Sequence, residues 1–341
     1  MLVAVQLIRS FYGWFKFFVL LLFFMLIETS VVGSFPKFSE SLNEAIKKAV
    51  DLQLECGVDV ITDGEQRSSM VSYFEQLSGL EKSGSSLRIV GKVGSLEGEL
   101  DEFYKIVDYK KVMAILAELN RDDVKVKVTF TGPLTLGAIC AMTDPQSAKN
   151  YYDLADSRKM FSDFSAALLP LVIRVLELGA LVQIDEPLLS TGSIEIGNAK
   201  EVLEKFFMKL PASFLSEERI SLHICGSINR VTGLFNILLE LPVLILSLGF
   251  SGEQEKENMD IISRSTFETH NKKLGAGFIS NTKVENQKTI KDRFFEIEKR
   301  VGKEYIKYLH PDCGFALVSP DKVKQILENM RIVSNQIFNE V

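Results

Sequence analysis

Two short motifs contain the residues of this sequence that are best suited to bind a metal ion. His223 and Cys225 are separated by one residue, and residues i and i+2 of a strand point to the same face, so both can bind one ion. An isolated pair of this kind is more often a buried cysteine beside a hydrogen-bonded histidine. Cys313, after another apolar run, adds a third donor. One histidine and two cysteines predict Zn²⁺ with one open position, which would keep a substrate thiol deprotonated and nucleophilic.

Acidic side chains follow two other apolar runs of the chain. Glu65 lies in DGEQR and Asp185 lies in IDEP, and both are predicted to bind the ammonium group of an amino acid. The amide of Gly33 and the hydroxyl of Ser34 are predicted to bind a carboxylate. Two alternatives remain: helix capping by the acids, Glu186 in particular, and a plain tight turn at positions 33–34.

These residues follow apolar runs that alternate with amphipathic stretches, which is the pattern of an α/β protein. The predicted strands are Thr29–Gly33, Asp59–Asp63, Lys125–Thr131, Leu181–Asp185, Ile220–Ile224, Val243–Leu248, Leu274–Ile279 and Ile306–His310. The predicted helices are Ser39–Cys56, Ala148–Leu178, Ala199–Leu210, Ser227–Leu239, Gln287–Val301 and Pro320–Phe338. Eight such units predict a (β/α)8 TIM barrel, with the chemistry gathered at the carboxyl ends of its strands.

The stretch from Val71 to Asp123, after the second strand, is longer than the other connections. Its sequence predicts an inserted excursion of two or three antiparallel strands before a helix. No internal repeat or low-complexity linker divides the chain, so we expect one elaborated barrel domain over residues 25–341.

The overall composition excludes several classes of protein. The 341 residues are 46% hydrophobic and 25% charged, which is ordinary for a globular protein and excludes a disordered or collagen-like chain. The net charge of −6, without a basic block, argues against a nucleic-acid partner. Four cysteines are too few for a disulfide scaffold and suit a reducing compartment, so we expect a cytoplasmic protein.

Residues 1–24 differ from the rest of the chain. An uninterrupted apolar run of 11 residues, from Phe17 to Ile27, is typical of a signal-peptide core or a short membrane anchor. It is shorter than the roughly 20 residues that a spanning helix needs, and no cleavage site follows. We favour a true translation start at Met25, and we expect contact with a membrane only if residues 1–24 belong to the mature protein.

Seven motifs occur along the chain in a specific order and with specific spacing: VVGSFP, DVITDGEQRSSMVSYF, TFTGPLTL, QIDEP, LHICG, NTKVE and HPDCGF. Together they resemble the catalytic domain of the cobalamin-independent methionine synthase family, in its short archaeal-type single-domain form. The resemblance implies a zinc-bearing barrel that transfers a methyl group to homocysteine, giving methionine. It also implies that His223, Cys225 and Cys313 are the zinc ligands. The residues implied to hold the amino-acid part of homocysteine or methionine are Val32, Gly33, Ser34, Glu65 and Asp185.

The sequence departs from this family pattern at three places. Gly249 stands where the family has a fourth zinc ligand, a glutamate at the end of strand six, and Glu253 or Glu255 is the substitute we consider. Residues 280–281 are Ser-Asn, where the long enzymes have a proton-donating histidine. The folate-stacking tryptophan has no counterpart, because the only tryptophan, Trp14, lies outside the barrel.

The identity of the methyl donor and of the acceptor thiol therefore stays open. We expect a methyl-corrinoid protein as donor, with methyl-tetrahydrofolate as the alternative. A second hypothesis is a zinc-dependent corrinoid:thiol methyltransferase that acts on another thiol, such as coenzyme M. The acids Glu65 and Asp185 argue against a sulfonate thiol that has no ammonium group. A third hypothesis, a degenerate non-catalytic barrel, is supported only by Gly249. The oligomeric state is not predicted.

Overall fold

Residues 27–67 and 69–339 are described by a computed structural model of the protein. The strands are β1 (Glu28–Thr29), β2 (Val60–Ile61), β3 (Leu80–Ser83), β4 (Ser86–Ile89), β5 (Lys125–Thr131), β6 (Leu181–Asp185), β7 (Ile220–Ile224), β8 (Ile245–Gly249), β9 (Lys273–Ile279) and β10 (Ile306–Pro311). The α-helices are α1 (Leu42–Glu55), α2 (Tyr104–Glu118), α3 (Pro133–Thr143), α4 (Pro145–Ala148), α5 (Arg158–Glu177), α6 (Ile196–Met208), α7 (Ala212–Ser216), α8 (Leu234–Glu240), α9 (Glu255–Met259), α10 (Arg264–Thr269), α11 (Gln287–Val301) and α12 (Pro320–Asn339).

Eight of these strands form one parallel sheet in the order β1-β10-β9-β8-β7-β6-β5-β2. A parallel bridge between Ser30 and Val60 joins the two edges, so the sheet closes on itself. Helices connect most successive strands and pack their apolar residues against the outside of the sheet. The predicted (β/α)8 barrel is confirmed.

Strand β5 shows how local sequence produces an inner and an outer face. In KVKVTFT, three apolar residues alternate with Lys127 and Thr129, so the two sets point to opposite sides of the sheet. The apolar set belongs to the main hydrophobic core. The polar set faces the barrel interior, where Lys127 contacts Gln183 of the neighbouring strand.

A second, small apolar cluster fills the barrel interior near the amino ends of the strands. It consists of Val60, Ile245 and Tyr308, which come from β2, β8 and β10. Because apolar side chains close this end, the polar residues of the strands are left toward the carboxyl ends. The barrel is therefore a packed core with chemistry at one end.

The first strand is shorter than the predicted Thr29–Gly33. The carbonyl of Val31 accepts a hydrogen bond from Lys127 Nζ at 2.5 Å, and the carbonyl of Val32 accepts one from Gln183 Nε2 at 2.9 Å. These backbone groups therefore bind side chains of the barrel interior instead of a neighbouring strand.

The predicted antiparallel insertion after the second barrel strand is confirmed. Strands β3 and β4 form an antiparallel hairpin in which Ser83 pairs with Ser86. Gly84 has a φ of 62°, a conformation that glycine adopts without strain, and it lies in the turn. Helix α2 follows, as the sequence predicts.

Three helices begin later than predicted; α1 does so by only three residues, and the other two by more. Helix α5 replaces the predicted Ala148–Leu178, because Tyr152 is buried and its hydroxyl accepts a hydrogen bond from the Val93 amide at 2.8 Å. Helix α8 replaces the predicted Ser227–Leu239, because Gly233, just before its start, has a left-handed φ of 84°. In addition, α3 was not among the predicted helices.

The predicted extension over residues 1–24, the alternative start at Met25 and the single Trp14 lie outside the described residues. Strand β1 begins at Glu28, directly after Ile27, the first described residue. Within residues 27–67 and 69–339, no helix has both the length and the apolar character needed to cross a membrane.

Candidate active site

The three predicted metal ligands come together at the carboxyl end of the barrel. His223 and Cys225 lie at the end of β7, and Cys313 lies just beyond β10. One ligand atom from each residue lies within 4.8 Å of the other two. Tetrahedral zinc, with bonds of about 2.0–2.3 Å, needs donor atoms about 3.5–4 Å apart. The donor types therefore fit one zinc ion with an open position, and the three donors lie close enough to share one ion once the two sulfurs move apart.

The sulfur atoms of Cys225 and Cys313 are in contact as a disulfide, with Cα atoms 6.1 Å apart. Zinc binds thiolates, so the two cysteines must be reduced before they can act as ligands. Cys56 and Cys140 are buried and free, and burial raises the pKa of their thiols to about 11 and about 12. These two cysteines therefore lack the thiolate character that metal binding requires.

His223 is almost completely buried beside this pair. Its Nε2 lies 3.0 Å from Cys225 Sγ, and its Nδ1 lies 2.9 Å from Ser247 Oγ. Burial lowers the pKa of His223 well below its usual range, so the ring is neutral. Neutral imidazole is the form that binds metals.

A cavity of about 570 Å³ opens beside the three donors, a volume suited to a small-molecule ligand. All eight predicted site residues line it: Val32, Gly33, Ser34, Glu65, Asp185, His223, Cys225 and Cys313. The structure therefore brings the residues of five different strand ends to one space, as expected when parallel strands close into a barrel.

Glu65 is held in a tight turn after β2. Gly64 and Glu65 have positive φ values of 73° and 52°, which costs a non-glycine residue about 1–2 kcal/mol. Glu65 Oε1 accepts hydrogen bonds from Lys105 Nζ at 2.7 Å and from Thr129 Oγ1 at 2.8 Å. Among the described residues no partner binds Oε2, which leaves this oxygen available to a ligand in the cavity.

Asp185 ends β6 and accepts a hydrogen bond on Oδ1 from Gln183 Nε2 at 2.7 Å. Burial, and then the negative charge of Glu65, raise the pKa of Asp185. A cationic group placed between the two acids would remove their repulsion and favour the charged form of both. The pair is therefore complementary to an ammonium group.

Lys127 and Gln183 support this site, and the sequence analysis missed both. Lys127 Nζ donates to Gln183 Oε1 at 2.6 Å and to the Val31 carbonyl at 2.5 Å. Gln183 Nε2 donates to the Val32 carbonyl and to Asp185. The available signal was the position of each residue in its strand. Lys127 lies two residues before Thr129, and Gln183 lies two residues before Asp185. Side chains two residues apart in a strand point to the same face, so both polar groups face the barrel interior.

Ser34 connects the predicted carboxylate-binding loop to the loop of Cys313. The Ser34 carbonyl accepts a hydrogen bond from the Phe315 amide at 2.7 Å. A Cβ added to Gly33 would lie 2.8 Å from Thr129 Cγ2, so only glycine allows this close packing. Gly33 and Ser34 therefore line the cavity next to the candidate metal ligands.

No carboxylate joins the three metal donors among the described histidines, cysteines and acids. Glu253 is exposed on a 3₁₀ turn after β8, and Glu255 binds Arg293 with an O–N distance of 3.1 Å. A Cβ added to Gly249 would lie 3.2 Å from Asp312 Oδ1. The structure therefore provides three protein donors and does not place Glu253 in the cluster.

Glu186 caps a helix, as the alternative interpretation suggested, but it is the helix after the neighbouring strand β5 and not the 3₁₀ turn that follows Glu186 itself. Its carboxylate accepts hydrogen bonds from the amides of Leu134 at 2.9 Å and Thr135 at 2.7 Å, in the first turn of α3. The side chain is fully buried, and burial raises its pKa to about 7. Glu186 is therefore structural and does not line the cavity.

Comparison with known proteins identifies a family. Residues 30–336 match the family model described as the catalytic domain of cobalamin-independent synthase. A methionine synthase of Methanothermobacter marburgensis is 32% identical over 328 residues, which cover 89% of this chain and 97% of that protein. A methionine synthase of Methanocaldococcus jannaschii is 28% identical over 338 residues, which cover 89% of this chain and 96% of that protein.

Solved structures show the same fold. A B12-independent methionine synthase from Shewanella sp. W3-18-1, in complex with selenomethionine, matches 93% of this chain and 100% of its own, with a TM-score of 0.69 and 18% identity. A methyltransferase from Methanosarcina mazei matches 92% of this chain and 94% of its own, with a TM-score of 0.62 and 15% identity. At these identities the similarity shows the barrel alone.

The family model spans nearly all of the described barrel, and the archaeal relatives align over almost their whole length. The expectation of a methyltransferase of the methionine synthase type, drawn from seven sequence motifs, is confirmed at this level. The chain belongs to the cobalamin-independent methionine synthase family, whose catalytic domain it matches.

Proposed function

We propose that the protein transfers a methyl group to the sulfur of homocysteine, forming methionine, with zinc held by His223, Cys225 and Cys313. The observation that carries this proposal is that the three donors share one cavity with the acids Glu65 and Asp185. Bound zinc would supply the Lewis acidity that keeps a substrate thiol deprotonated at neutral pH.

The chain's own residues would orient the amino-acid end of homocysteine. Glu65 and Asp185 offer carboxylate oxygens to the ammonium group, and Ser34 and the Gly33 amide offer donors to the carboxylate. With both ends of the amino acid held, the sulfur is directed toward the cysteine pair. Such fixed orientation replaces a costly bimolecular encounter and lowers the barrier.

The reaction balances as a simple substitution. The thiol first loses its proton, and a sulfur lone pair then forms the new bond to the methyl carbon. The bond between that carbon and the donor breaks, and its electron pair leaves with the donor. The protein supplies thiol activation and alignment, and the open cavity admits the donor.

For the donor we propose a methyl-corrinoid protein, with methyl-tetrahydrofolate as the second candidate. Phe35 is the only phenylalanine, tyrosine or tryptophan among the described residues that line the cavity, and it is 3% exposed, which leaves little ring surface on which a pterin could stack. The assay compares methylcobalamin with methyl-tetrahydrofolate under identical conditions. Faster turnover with the folate would reverse this order without affecting the proposed acceptor.

The first experiment measures zinc per chain in the full-length, reduced protein and then titrates it with homocysteine. We expect one zinc per chain and release of a thiol proton as homocysteine binds. Cys225→Ser and Cys313→Ser should lose most of the zinc and all activity, whereas Cys140→Ser, which changes a buried cysteine outside the cluster, should keep both. Stoichiometric zinc in Cys225→Ser would contradict the proposed site.

The titration also separates the alternatives. A thiol sulfonate without an ammonium group should bind far more weakly than homocysteine, because it cannot satisfy Glu65 and Asp185. Preference for the sulfonate would instead support a corrinoid:thiol methyltransferase for another thiol. Absence of both zinc and homocysteine binding would support a degenerate barrel. Since the proposed ligands must be reduced thiols, we also propose that the protein works in the cytoplasm.

A further inference from the structure

Beneath the candidate zinc site, three buried polar side chains form a continuous hydrogen-bonded series. His223 Nδ1 lies 2.9 Å from Ser247 Oγ, and the same Oγ lies 2.9 Å from His310 Nε2. His310 Nδ1 lies 2.8 Å from the carbonyl oxygen of Pro311. The three side chains belong to residues that are at most 2% exposed, so each polar atom must find its partner within the protein.

The Pro311 carbonyl gives this series a direction. A carbonyl oxygen only accepts, so His310 Nδ1 must carry a hydrogen, and in the neutral ring His310 Nε2 must accept. The Ser247 hydroxyl therefore donates to His310 and turns its lone pairs toward His223. As a result, His223 Nδ1 carries the hydrogen and donates to Ser247.

The Ser247 carbonyl oxygen leads independently to the same protonation of His223. It lies 3.2 Å from His223 Nδ1 and again can only accept. With the hydrogen on Nδ1, the Nε2 atom presents its lone pair toward Cys225 Sγ, 3.0 Å away. A metal-ligating nitrogen needs this lone pair, and the hydrogen bond at the other ring nitrogen decides which one has it.

The barrel leaves a specific space for His310. Ser247 pairs with Gly275 on the neighbouring strand β9. A Cβ added to Gly275 would lie 3.0 Å from His310 Nε2 and 3.3 Å from Ser247 Cβ. Any larger residue at position 275 would therefore push the imidazole away from the serine hydroxyl.

We propose that Ser247 and His310 are positioning residues that hold His223 in the tautomer required for zinc binding. The proposal rests on the zinc site proposed above, but it assigns a role to two residues outside the ligand set. Neither residue lines the substrate cavity itself. They act only through the orientation and tautomer of His223.

The first test observes the tautomer directly, without zinc. The chain contains only three histidines, His223, His270 and His310, so long-range ¹H–¹⁵N imidazole spectra of the full-length, reduced, zinc-free protein contain three ring systems. His270→Gln and His310→Gln assign them by loss of signal. We expect the hydrogen on Nδ1 in both His223 and His310. A hydrogen on His223 Nε2 would overturn the proposal, whatever the protein's zinc affinity.

The second test measures zinc affinity by competition with a chelator of known affinity. Loss of such an outer partner typically weakens metal binding about 10- to 100-fold, and we expect this for Ser247→Ala and His310→Phe. Ser247→Thr keeps the hydroxyl and should restore most of the affinity. Ser221→Ala, a buried serine of β7 whose hydroxyl bonds the Val182 carbonyl, is the matched control and should bind zinc normally.

Two outcomes separate this proposal from the proposed function. Unchanged zinc affinity in both Ser247→Ala and His310→Phe would overturn the positioning role while leaving the zinc site intact. Failure of the wild-type protein to bind zinc would overturn the zinc site, while the tautomer of His223 would still be decided by the spectra.

Discussion

Lys127 donates a hydrogen bond of 2.6 Å to Gln183 Oε1 inside the barrel, and this bond determines which way the Gln183 amide faces. An ammonium group can only donate, so the amide oxygen must point to Lys127 and the amide nitrogen must point away. That nitrogen donates to Asp185 Oδ1 at 2.7 Å and to the Val32 carbonyl at 2.9 Å. A buried cation thus orients two groups of the substrate cavity that it does not itself line.

Lys127→Met should therefore weaken substrate binding while zinc content stays normal. The apolar side chain fills a similar volume but cannot orient Gln183, and hydrogen bonds to charged groups contribute about 1.5–3 kcal/mol each. We expect KM for homocysteine to rise about tenfold or more. Calorimetry with homocysteine and metal analysis of the same sample check this. Lys125→Met, which changes an exposed lysine of the same strand, is the control; equal effects of both variants would contradict a role for Lys127.

Asp185→Asn should keep zinc and lose affinity for the ammonium group of the substrate. Because the pKa of Asp185 is raised in the empty site, binding of a cation should expel its proton at pH values below that pKa. Methionine is the best ligand for this test, since it has no thiol proton to release. Calorimetry in buffers of different ionisation enthalpy should show proton release in the wild type and less in the variant. Asp51→Asn, on the exposed face of α1, should match the wild type.

Removing the charge of Glu65 alone should destabilise the protein. Lys105 is only 1% exposed, and it would be left without its closest counter-charge. Removing one partner of a buried pair typically costs about 3–5 kcal/mol. We expect Glu65→Gln to lower the free energy of unfolding by an amount near the lower end of that range. The double variant Glu65→Gln/Lys105→Met should recover most of this stability but not methionine affinity. Recovery of both would show that Glu65 has only a structural role.

Glu186 should make stability depend on pH in a predictable direction. Its pKa is about 7 in the folded protein against 4.5 as the usual value, so the folded state binds a proton that the unfolded state releases between these pH values. The stabilisation is present below about pH 4.5 and is lost as pH rises toward about 7, by up to about 3 kcal/mol.

Urea unfolding of wild type and Glu186→Gln across this pH range tests the effect. The variant cannot titrate, so its stability should fall less steeply with rising pH. Glu195→Gln is the matched control, because Glu195 caps α6 in the same way, through the amides of Gly197 and Asn198, but is exposed. Its pKa is lowered, so it adds no such loss between pH 5 and 7. Parallel slopes for wild type and Glu186→Gln would contradict the assignment.

The closed barrel and the gathering of the site residues follow from local sequence patterns. Alternating apolar runs and helical repeats are set by neighbours within a few residues, so the eight barrel strands are readable from the chain. Parallel strands of a barrel all end at one rim. Residues as distant in sequence as Ser34, Glu65, Asp185, Cys225 and Cys313 therefore had to share a cavity once the strands were recognised.

Hydrogen bonding within the barrel interior was decided only by the tertiary structure. Lys127 and Gln183 are 56 residues apart, Ser247 and His310 are 63 apart, and Lys105 and Glu65 are 40 apart. Each contact depends on how elements distant in the chain pack together, which local patterns do not encode. Helix starts were missed for a similar reason: a contact as distant as that of Tyr152 with Val93 overrides local preference.

Local patterns in the chain thus specify the barrel strands and the residues that follow them, because periodicity is set by neighbours within a few residues. Tertiary structure alone decided how those residues are oriented and charged, because burial and long-range partners set pKa, tautomer and hydrogen-bond direction. Gly249 shows the difference most clearly. Its presence is visible in the chain, but only the packing of Asp312 beside it shows that the space next to Gly249 is already occupied.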